Sequence, residues 1–290
     1  MIRPKSFGYN RETAGSNFFQ HIPQTEVQSI ALDEFNHAAK TISESGIPLE
    51  IVDDLDNVQL PDSIFPNNWF TTHANGTIVL YPMMTPNRRA ERRNDILNLL
   101  AEKYGYTTTH DLTHHTRQEQ YLEGTGSLVF DHDQHIAFAC SSPRTNSDVL
   151  LEACERIGYL PIAFEAIDSK ARPIYHTNVM LSVGENIAIC CFDSISDPDD
   201  KQGIENFLRK TGKLVISISH TQMEHFAANV LFCKNKDGVQ QAIISETAWN
   251  SLEESQKAAI ATVAEPVVVR IPVIERYGGG GIRCMLAELF

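Results

Sequence analysis

Several features that identify common protein classes are missing from the chain. It has no basic run long enough to follow a phosphate backbone, and its net charge is −13, from 24 Lys and Arg against 37 Asp and Glu. Nucleic acids and anionic membranes are therefore poor partners. The chain also has no P-loop, no dinucleotide fingerprint and no Gly-x-Ser-x-Gly elbow. Nucleotide-binding and serine-hydrolase functions therefore have no support.

Paired cysteines and targeting segments are absent as well. The six cysteines include no CxxC pair, and most lie within apolar, strand-like runs, as small buried hydrophobic residues often do. Residues 1–7 lack the apolar core of a signal peptide, and no window reaches the length of an uninterrupted membrane span. These absences predict a reduced, cytoplasmic protein.

Glycine, in contrast, is concentrated near the C-terminus. Residues 278–281 are four consecutive glycines, and Cys284 follows three positions later. Glycine loses more backbone freedom on folding than any other residue, so such a run indicates positive φ angles or the close approach of another group. Cys284 is therefore a candidate nucleophile.

A repeated order of predicted elements organises the chain. Four segments each contain an apolar or β-branched run, a polar turn and a second such run, which is typical of β-hairpins. A helical stretch and then another strand are predicted after each hairpin. The hairpins are residues 68–81, 127–139, 178–191 and 229–245, the helices are 89–104, 147–158, 200–211 and 251–263, and the last strands are 106–111, 160–164, 213–218 and 266–273.

The spacing of these repeats predicts a closed ring. The hairpins begin 59, 51 and 51 residues apart, and Cys284 begins a fifth copy 55 residues after the fourth. Residues 7–51, with a predicted helix near 32–44, would complete that copy from the N-terminus. Repeats of this size form stacked or circular arrays. The sequence therefore predicts one α/β domain over residues 1–290, with a five-bladed ring favoured over a plain α/β sandwich.

Candidate reactive side chains lie at or just before the start of each repeat. In a ring of equivalent units, these positions face one axial site. The candidates are Asn67, Asn68, Glu123, His176, Asn178, Asn229 and Cys284.

The chemistry of these candidates fits a thiol-dependent hydrolase. A free thiol is mostly protonated at neutral pH, so Cys284 needs a nearby cation or a developing positive charge. His176 could supply this and later protonate a leaving amine. Glu123 could orient the imidazole or bind a substrate N–H. The amides of Asn67, Asn68 and Asn178 can donate to a carbonyl or accept from NH2 groups. For Asn229 we expect a structural role in the fourth repeat.

These residues resemble motifs of the guanidino-group-modifying superfamily, whose fold is the five-bladed α/β propeller called the pentein. The glycine run before Cys284 resembles the nucleophile loop of that superfamily, residues 176–178 its His-x-Asp motif, and residues 122–124 its glutamate segment. Residues 65–69 and the N-terminal segment 3–10 are most similar to the citrulline-utilisation hydrolases. The resemblance implies Cys284, His176 and Glu123 as catalytic residues.

One departure from the superfamily pattern bears on the substrate. Relatives that process guanidines commonly use the Asp of His-x-Asp to hold the cationic guanidinium, whereas this chain has Asn178 there and Asn67 and Asn68 in the first repeat. Amides bind a cation more weakly than carboxylates do but can donate to a neutral ureido carbonyl. The pattern therefore favours hydrolysis of L-citrulline to L-ornithine, carbon dioxide and ammonia through a covalent cysteine intermediate.

Several alternatives stay open at this point. The enzyme could be a guanidine hydrolase or an amidinotransferase, or the chain could be a non-catalytic amino-acid-binding protein. Arg144 and Arg283 are candidates for binding the substrate carboxylate, and Arg172 and Arg3 are weaker ones. Histidines such as His114 do not form a clear metal-binding pattern, so we expect no metal and no cofactor. The expected partner is a small amino acid, and the sequence allows a homo-oligomer.

Overall fold

The structure is a computed structural model that describes residues 1–56 and 58–290. Its elements follow one another as short strands and helices joined by turns. Within the described residues the strands are β1 (Ile2–Arg3), β2 (Val52–Asp53), β3 (Phe70–His73), β4 (Thr77–Leu80), β5 (Thr108–Asp111), β6 (Val129–Asp131), β7 (Ile136–Cys140), β8 (Leu160–Phe164), β9 (Leu181–Val183), β10 (Ile187–Cys190), β11 (Leu214–Ser217), β12 (Leu231–Lys234), β13 (Gln240–Ser245) and β14 (Glu265–Val269). The helices are α1 (Gln28–Glu44), α2 (Pro86–Arg89), α3 (Asn94–Tyr104), α4 (Gly124–Ser127), α5 (Ser147–Ile157), α6 (Pro198–Lys210), α7 (His220–Glu224), α8 (Glu246–Ser251), α9 (Glu254–Ala261) and α10 (Pro272–Gly278).

Four sheets in the described part of the chain repeat one topology. In each sheet two strands form an antiparallel hairpin, and a third strand, which follows a helix, pairs in parallel with the second strand of the hairpin. The sheets are β3-β4-β5, β6-β7-β8, β9-β10-β11 and β12-β13-β14. This arrangement confirms all four predicted hairpins and the predicted strand after each helix, and it shows that this strand pairs in parallel.

Two of the predicted helices are interrupted. The segment predicted as one helix over 89–104 contains only the last residue of α2 and then α3. The break occurs because Arg93 is extended and its side chain is held by Asp95 and by the carbonyl of Asp53. The segment predicted over 251–263 contains the end of α8 and then α9. Here Glu253 and Gln256 form a reciprocal capping pair that begins a new helix.

The two chain ends pack together as a fifth, smaller unit. Strands β1 and β2 pair in parallel, and α1 lies between them in sequence. The buried face of α1, which includes Phe35 and Ile42, shares one apolar core with Cys284 and Met285 near the C-terminus. Residues 286–290 are not in a strand, so this sheet has two strands where the others have three.

The length and apolar character of the described helices do not meet the requirements of a membrane span. The longest of them, α1, has 17 residues, and none in the described part of the chain is both long and apolar enough to cross a bilayer.

Candidate active site

Four short helical turns bring the predicted residues together. They are Pro66–Asn68, α4, Thr177–Val179 and Ile282–Met285, and three of them lead directly into the first strand of a sheet. Helix α4 packs against the first and third of these turns, and the turn containing Cys284 packs against the first. Residues separated by more than 200 positions therefore meet in one buried region.

Close packing around the glycine run fixes the position of the thiol. Gly279 has a φ of 65°, and a methyl group on Gly281 would lie 2.6 Å from Oδ1 of Asn229. Both conditions exclude ordinary side chains. The prediction of positive φ or close approach is confirmed, and the approaching group at Gly281 is the protein's own asparagine.

Cys284 is buried among side-chain amides. The Nδ2 groups of Asn229 and Asn178 donate to its Sγ at 3.4 and 3.5 Å. Burial raises the pKa of the thiol above its usual value, although the bond from Asn229, the charge of Arg283 and the bond from Asn178 oppose the rise. The resting thiol is therefore protonated at neutral pH and must pass its proton to a base before it can attack.

His176 and Glu123 form a buried acid–base pair. The Nε2 of His176 lies 2.8 Å from Oε2 of Glu123, and Oε1 of the same carboxylate accepts the Met84 N–H at 3.0 Å. Burial alone would raise the pKa of Glu123, but Arg144, the His176 hydrogen bond and Arg88 together hold it well below its usual range. Because an ionised carboxylate only accepts hydrogen bonds, we assign the imidazole proton to Nε2, which leaves Nδ1 with a free lone pair.

The same burial makes His176 neutral at rest. Loss of solvent lowers the pKa of His176 to about 4, although Glu123 opposes this, and the charges of Arg144 and Arg88 lower it further. The sequence left open whether His176 offers the thiol a resting cation or a developing positive charge. In the structure both His176 and Cys284 are neutral at rest, so His176 becomes charged only when it takes a proton.

Asn68 presents an unpaired hydrogen-bond donor in this region. Its Oδ1 accepts from Arg88 at 2.6 Å, and Arg88 is itself held by Glu91 at 2.8 and 2.9 Å. Since a guanidinium can only donate, this contact fixes the amide orientation and leaves Nδ2 on the other side. Within residues 1–56 and 58–290, that buried Nδ2 has no acceptor.

The free donor of Asn68 lies near the free nitrogen of His176. A methyl group added to Gly126 would be 2.5 Å from Nδ2 of Asn68 and 2.6 Å from Nδ1 of His176. Both atoms therefore lie against the same face of Gly126, which leaves room for them because it has no side chain.

Asn67 and Asn178 offer acceptors. The Nδ2 of Asn67 donates to the hydroxyl of Thr125 at 3.1 Å, and the Nδ2 of Asn178 donates to the carbonyl of Thr125 at 2.9 Å. In both asparagines Oδ1 is buried without a donor in the part of the chain that the structure covers. The site thus combines one unpaired donor with two unpaired acceptors.

Asn229 contacts both the backbone around the site and the thiol of Cys284. It donates to the carbonyl of Asn178 and accepts from the backbone N–H of Arg283, both at 3.1 Å. These bonds fit the expected structural role. The same side chain also contacts the thiol of Cys284, in addition to the structural role expected for it.

The two predicted carboxylate-binding arginines are engaged by the protein itself. Arg144 lies 3.2 Å from Glu123 and donates to the Ser16 hydroxyl at 2.6 Å and to the Thr13 carbonyl at 3.2 Å. Arg283 donates to the carbonyl of Leu286 and pairs with Glu288. Arg144 lies beside the Glu123 carboxylate, whereas Arg283 connects residues of the C-terminal segment.

The weaker arginine candidates are not brought to the site. Arg3 pairs with Asp53 in an exposed ion pair, and Arg172 pairs with Asp168, which is mostly buried. Metal-binding groups are also elsewhere. Donor atoms of His114, His115 and Glu152 lie within 4.8 Å of one another, and none of the three touches the thiol, imidazole or amide groups described above.

The N-terminal segment is an unexpected part of the site. Asn17 donates to the Gly279 carbonyl at 3.1 Å, and the Tyr175 hydroxyl donates to the same carbonyl at 2.7 Å.

The sequence also did not predict Arg88, which fixes the orientation of Asn68. No local pattern marked these residues, because each acts through a contact with a residue distant in sequence.

The fold and the Cys–His–Glu arrangement define a class, the pentein-type hydrolases that act on C–N bonds. A family model described as "N,N dimethylarginine dimethylhydrolase, eukaryotic" matches residues 3–290, nearly the whole chain. The chain therefore belongs to this family, within the guanidino-modifying superfamily. No curated protein sequence matches the chain significantly.

Solved structures with the same fold are distant in sequence. The N-terminal domain of ArgZ, described as an arginine dihydrolase from cyanobacteria, is 17% identical with a TM-score of 0.76, and the match covers 100% of this chain and 96% of that one. This chain spans only 40% of full-length ArgZ. Unliganded AgrE is 16% identical with a TM-score of 0.76, covering 98% of this chain and 38% of that one. A dimethylarginine dimethylaminohydrolase is 14% identical with a TM-score of 0.63, covering 89% and 90%.

Proposed function

We propose that the protein hydrolyses the ureido group of L-citrulline, giving L-ornithine, carbon dioxide and ammonia. The observation that carries this proposal is the fixed, unpaired donor of Asn68. A ureido group has a carbonyl oxygen that can accept this donor, whereas a guanidinium has only N–H donors. Binding a guanidinium here would leave the amide of Asn68 unpaired and facing a cation.

The remaining groups of the site complement a ureido group in the same way. The free Oδ1 atoms of Asn67 and Asn178 can accept its N–H groups. Two nearby carboxylates already have cationic partners, since Glu123 pairs with Arg144 and Glu91 pairs with Arg88. The side chain of a third, Asp62, accepts only from neutral groups, and burial raises its pKa, which disfavours its charged form. A cationic substrate would therefore gain little from Glu123 and Glu91, which favours a neutral substrate.

The reaction begins with transfer of the Cys284 proton to Nδ1 of His176. The thiolate attacks the ureido carbon, and a C–S bond forms while the carbonyl oxygen gains negative charge. Donation from Asn68 to this oxygen stabilises the transition state. His176, now an imidazolium stabilised by Glu123, protonates the departing nitrogen as the C–N bond breaks.

Hydrolysis of the covalent intermediate completes the cycle. Departure of ornithine leaves a carbamoyl-cysteine, and departure of ammonia leaves an alkylated thiocarbamate on the sulfur. In either case His176 deprotonates a water that attacks the same carbon, and the thiolate leaves. Carbamic acid released from the first intermediate decomposes to carbon dioxide and ammonia. The N-carboxyornithine released from the second decomposes to carbon dioxide and ornithine, so either route balances with one water consumed.

The α-carboxylate of citrulline requires a cation. We propose Arg144, because it lies beside Glu123 and its remaining donors reach only neutral groups, the Ser16 hydroxyl and the Thr13 carbonyl. Substrate binding would replace these two contacts and displace residues 13–16. Arg283 is less suited, since its charge is already paired with Glu288.

We also propose that residues 1–290 form one pentein domain with five blades around the site. The four repeated sheets and the shared core of the two chain ends support this arrangement. A cytoplasmic location is proposed because the six cysteines are free thiols. The net charge of the chain and the pairing of Glu123 and Glu91 with arginines support a small amino acid as the partner. A homo-oligomer is compatible with the fold.

Guanidine hydrolysis is the second candidate. The description of the family names dimethylarginine, and ArgZ is described as an arginine dihydrolase. Transfer of the bound group to an amine would make the protein an amidinotransferase. A binding protein without turnover is a candidate of a different class, and the pairing of His176 with Glu123 argues against it.

The test is product analysis with separate substrates. Purified protein is incubated with L-citrulline, L-arginine or N,N-dimethylarginine, and products are followed by mass spectrometry, with Cys284→Ala as control. We expect ornithine from citrulline and none in the variant. Citrulline accumulating from arginine would support the second candidate, and no turnover with any substrate would support the binding protein.

A further inference from the structure

A cavity separate from the catalytic residues lies beside the first sheet. It has a volume of about 420 Å³ and lies against β5 and the turn that follows it. Neither Cys284, His176 nor Glu123 lines it. Its volume is within the range of small-molecule sites and far too small for a macromolecular groove.

The cavity is positively charged in an acidic protein. Arg89, Arg92 and Arg117 line it, and Asp111 is its one lining carboxylate, so these groups sum to +2 with histidine neutral. The whole chain carries −13. Three arginines around one cavity therefore oppose the general charge of the molecule, and they mark a place where an anion is favoured over a cation.

Several donors around the cavity are free to bind a ligand. Arg117 has no hydrogen bond or ion pair within residues 1–56 and 58–290. The Trp69 ring, which is 1% exposed, also lines the cavity, and its indole N–H has no acceptor in the described residues. A buried N–H without a partner is costly, and a bound oxygen atom would remove that cost.

The other two arginines are held in place. Arg89 donates to the carbonyls of Met83 and Met84 at 2.9 and 2.7 Å. Arg92 donates to the Thr113 hydroxyl at 2.7 Å and stays 3.7 Å from the nearest oxygen of Asp111. Side chains positioned in advance lose little conformational entropy when a ligand binds.

We propose that this cavity is a binding site for a small oxyanion, held by Arg92 and Arg117 with the indole N–H of Trp69 as a further donor. The planar guanidinium matches the two oxygens of a carboxylate or phosphate group. An organic dicarboxylate and inorganic phosphate both present this chemistry. The experiment therefore includes both anions in separate arms.

Binding is measured by isothermal titration calorimetry, with Trp69 fluorescence reporting its location. The chain has two tryptophans, so Trp249→Phe leaves Trp69 as the only emitter. Inorganic phosphate and succinate are titrated separately at an ionic strength held constant with potassium chloride. We expect saturable binding of at least one anion and a saturable change in Trp69 emission with the same midpoint.

Matched variants test whether the named arginines are responsible. Arg92→Gln/Arg117→Gln should weaken binding by about tenfold or more, since two charge-assisted contacts are lost. Arg209→Gln removes an exposed helix arginine paired with Glu205 and should bind normally. If the double variant does not fold, Arg117→Glu provides the same test at a residue without partners. The proposal is overturned if neither anion binds saturably beyond chloride, or if these arginine variants bind as tightly as the wild type.

Discussion

Substitution of Gly126 by alanine tests the geometry of the site most sharply. A methyl group at this position would lie 2.5 Å from Nδ2 of Asn68 and 2.6 Å from both Nδ1 and Cε1 of His176. Ordinary contacts of a Cβ atom begin near 3.4 Å. The two side chains must therefore move by about 1 Å, and one of them is His176, the proposed catalytic base.

The expected effect is large on turnover and smaller on stability. A misplacement of about 1 Å in a catalytic arrangement costs about 10²-fold in rate. Crowding by one methyl group in a packed interior costs about 1–3 kcal/mol of unfolding free energy. The φ angle of Gly126 is not in the left-handed region, so backbone strain adds nothing to that figure.

The assay is ammonia release from whichever of citrulline and arginine the wild type consumes, with urea unfolding measured in parallel. Gly203→Ala is the matched control, because Gly203 is exposed within α6 and nothing lies within 4 Å of its added methyl group. We expect normal turnover and a stability gain of up to about 1 kcal/mol in that variant. Turnover within about twofold of wild type in Gly126→Ala would refute the placement of His176 and Asn68.

Three further predictions concern buried ionisable groups. Burial raises the pKa of Glu275 to about 7, so the folded protein loses stability as pH rises from about 4.5 to 7. Glu275→Gln should therefore increase the free energy of unfolding by about 3 kcal/mol at pH 8 and leave it unchanged near pH 4. Equal urea midpoints of the variant and the wild type at pH 8 would contradict this. Because burial raises the pKa of the Cys284 thiol above its usual value, its alkylation rate with iodoacetamide, followed by peptide mass spectrometry, should still rise with pH where that of a free thiol levels off. A plateau reached by pH 7 would contradict this. Lys213→Met leaves Asp131, its buried partner at 3.1 Å, without a counter-ion and should cost about 3–5 kcal/mol in urea unfolding, whereas a loss below 1 kcal/mol would contradict a buried ion pair.

The repeated sheets could be predicted because their signals are local. Each hairpin contains alternating or β-branched runs around a polar turn, and each later strand follows an amphipathic helix. Helix α5 shows how local the determinants are, since the Asn146 side chain caps its first turn and Gly158 ends it with a φ of 74°. The positions of Glu123, His176 and Cys284 at equivalent points of the repeats then indicated a common site.

The orientation of Asn68 could not be predicted, because it depends on contacts between distant residues. Arg88 fixes the amide of Asn68, and Glu91 holds Arg88, yet neither Arg88 nor Glu91 belongs to a recognisable sequence motif. The resting charge of His176 depends in the same way on burial. Nearby carboxylates and arginines set its pKa through the folded environment, which the sequence does not show directly.

Specificity constants for L-citrulline and L-arginine, measured in the wild type and in Asn68→Asp, test the central claim most directly. The substitution keeps an oxygen facing Arg88 and replaces the free donor by an acceptor of the same size. We predict that the wild type prefers citrulline and that the ratio of kcat/KM for citrulline to kcat/KM for arginine falls by about 10²–10³-fold in the variant. A wild type that prefers arginine, or a ratio that Asn68→Asp leaves unchanged, would contradict the assignment of the ureido carbonyl to Asn68.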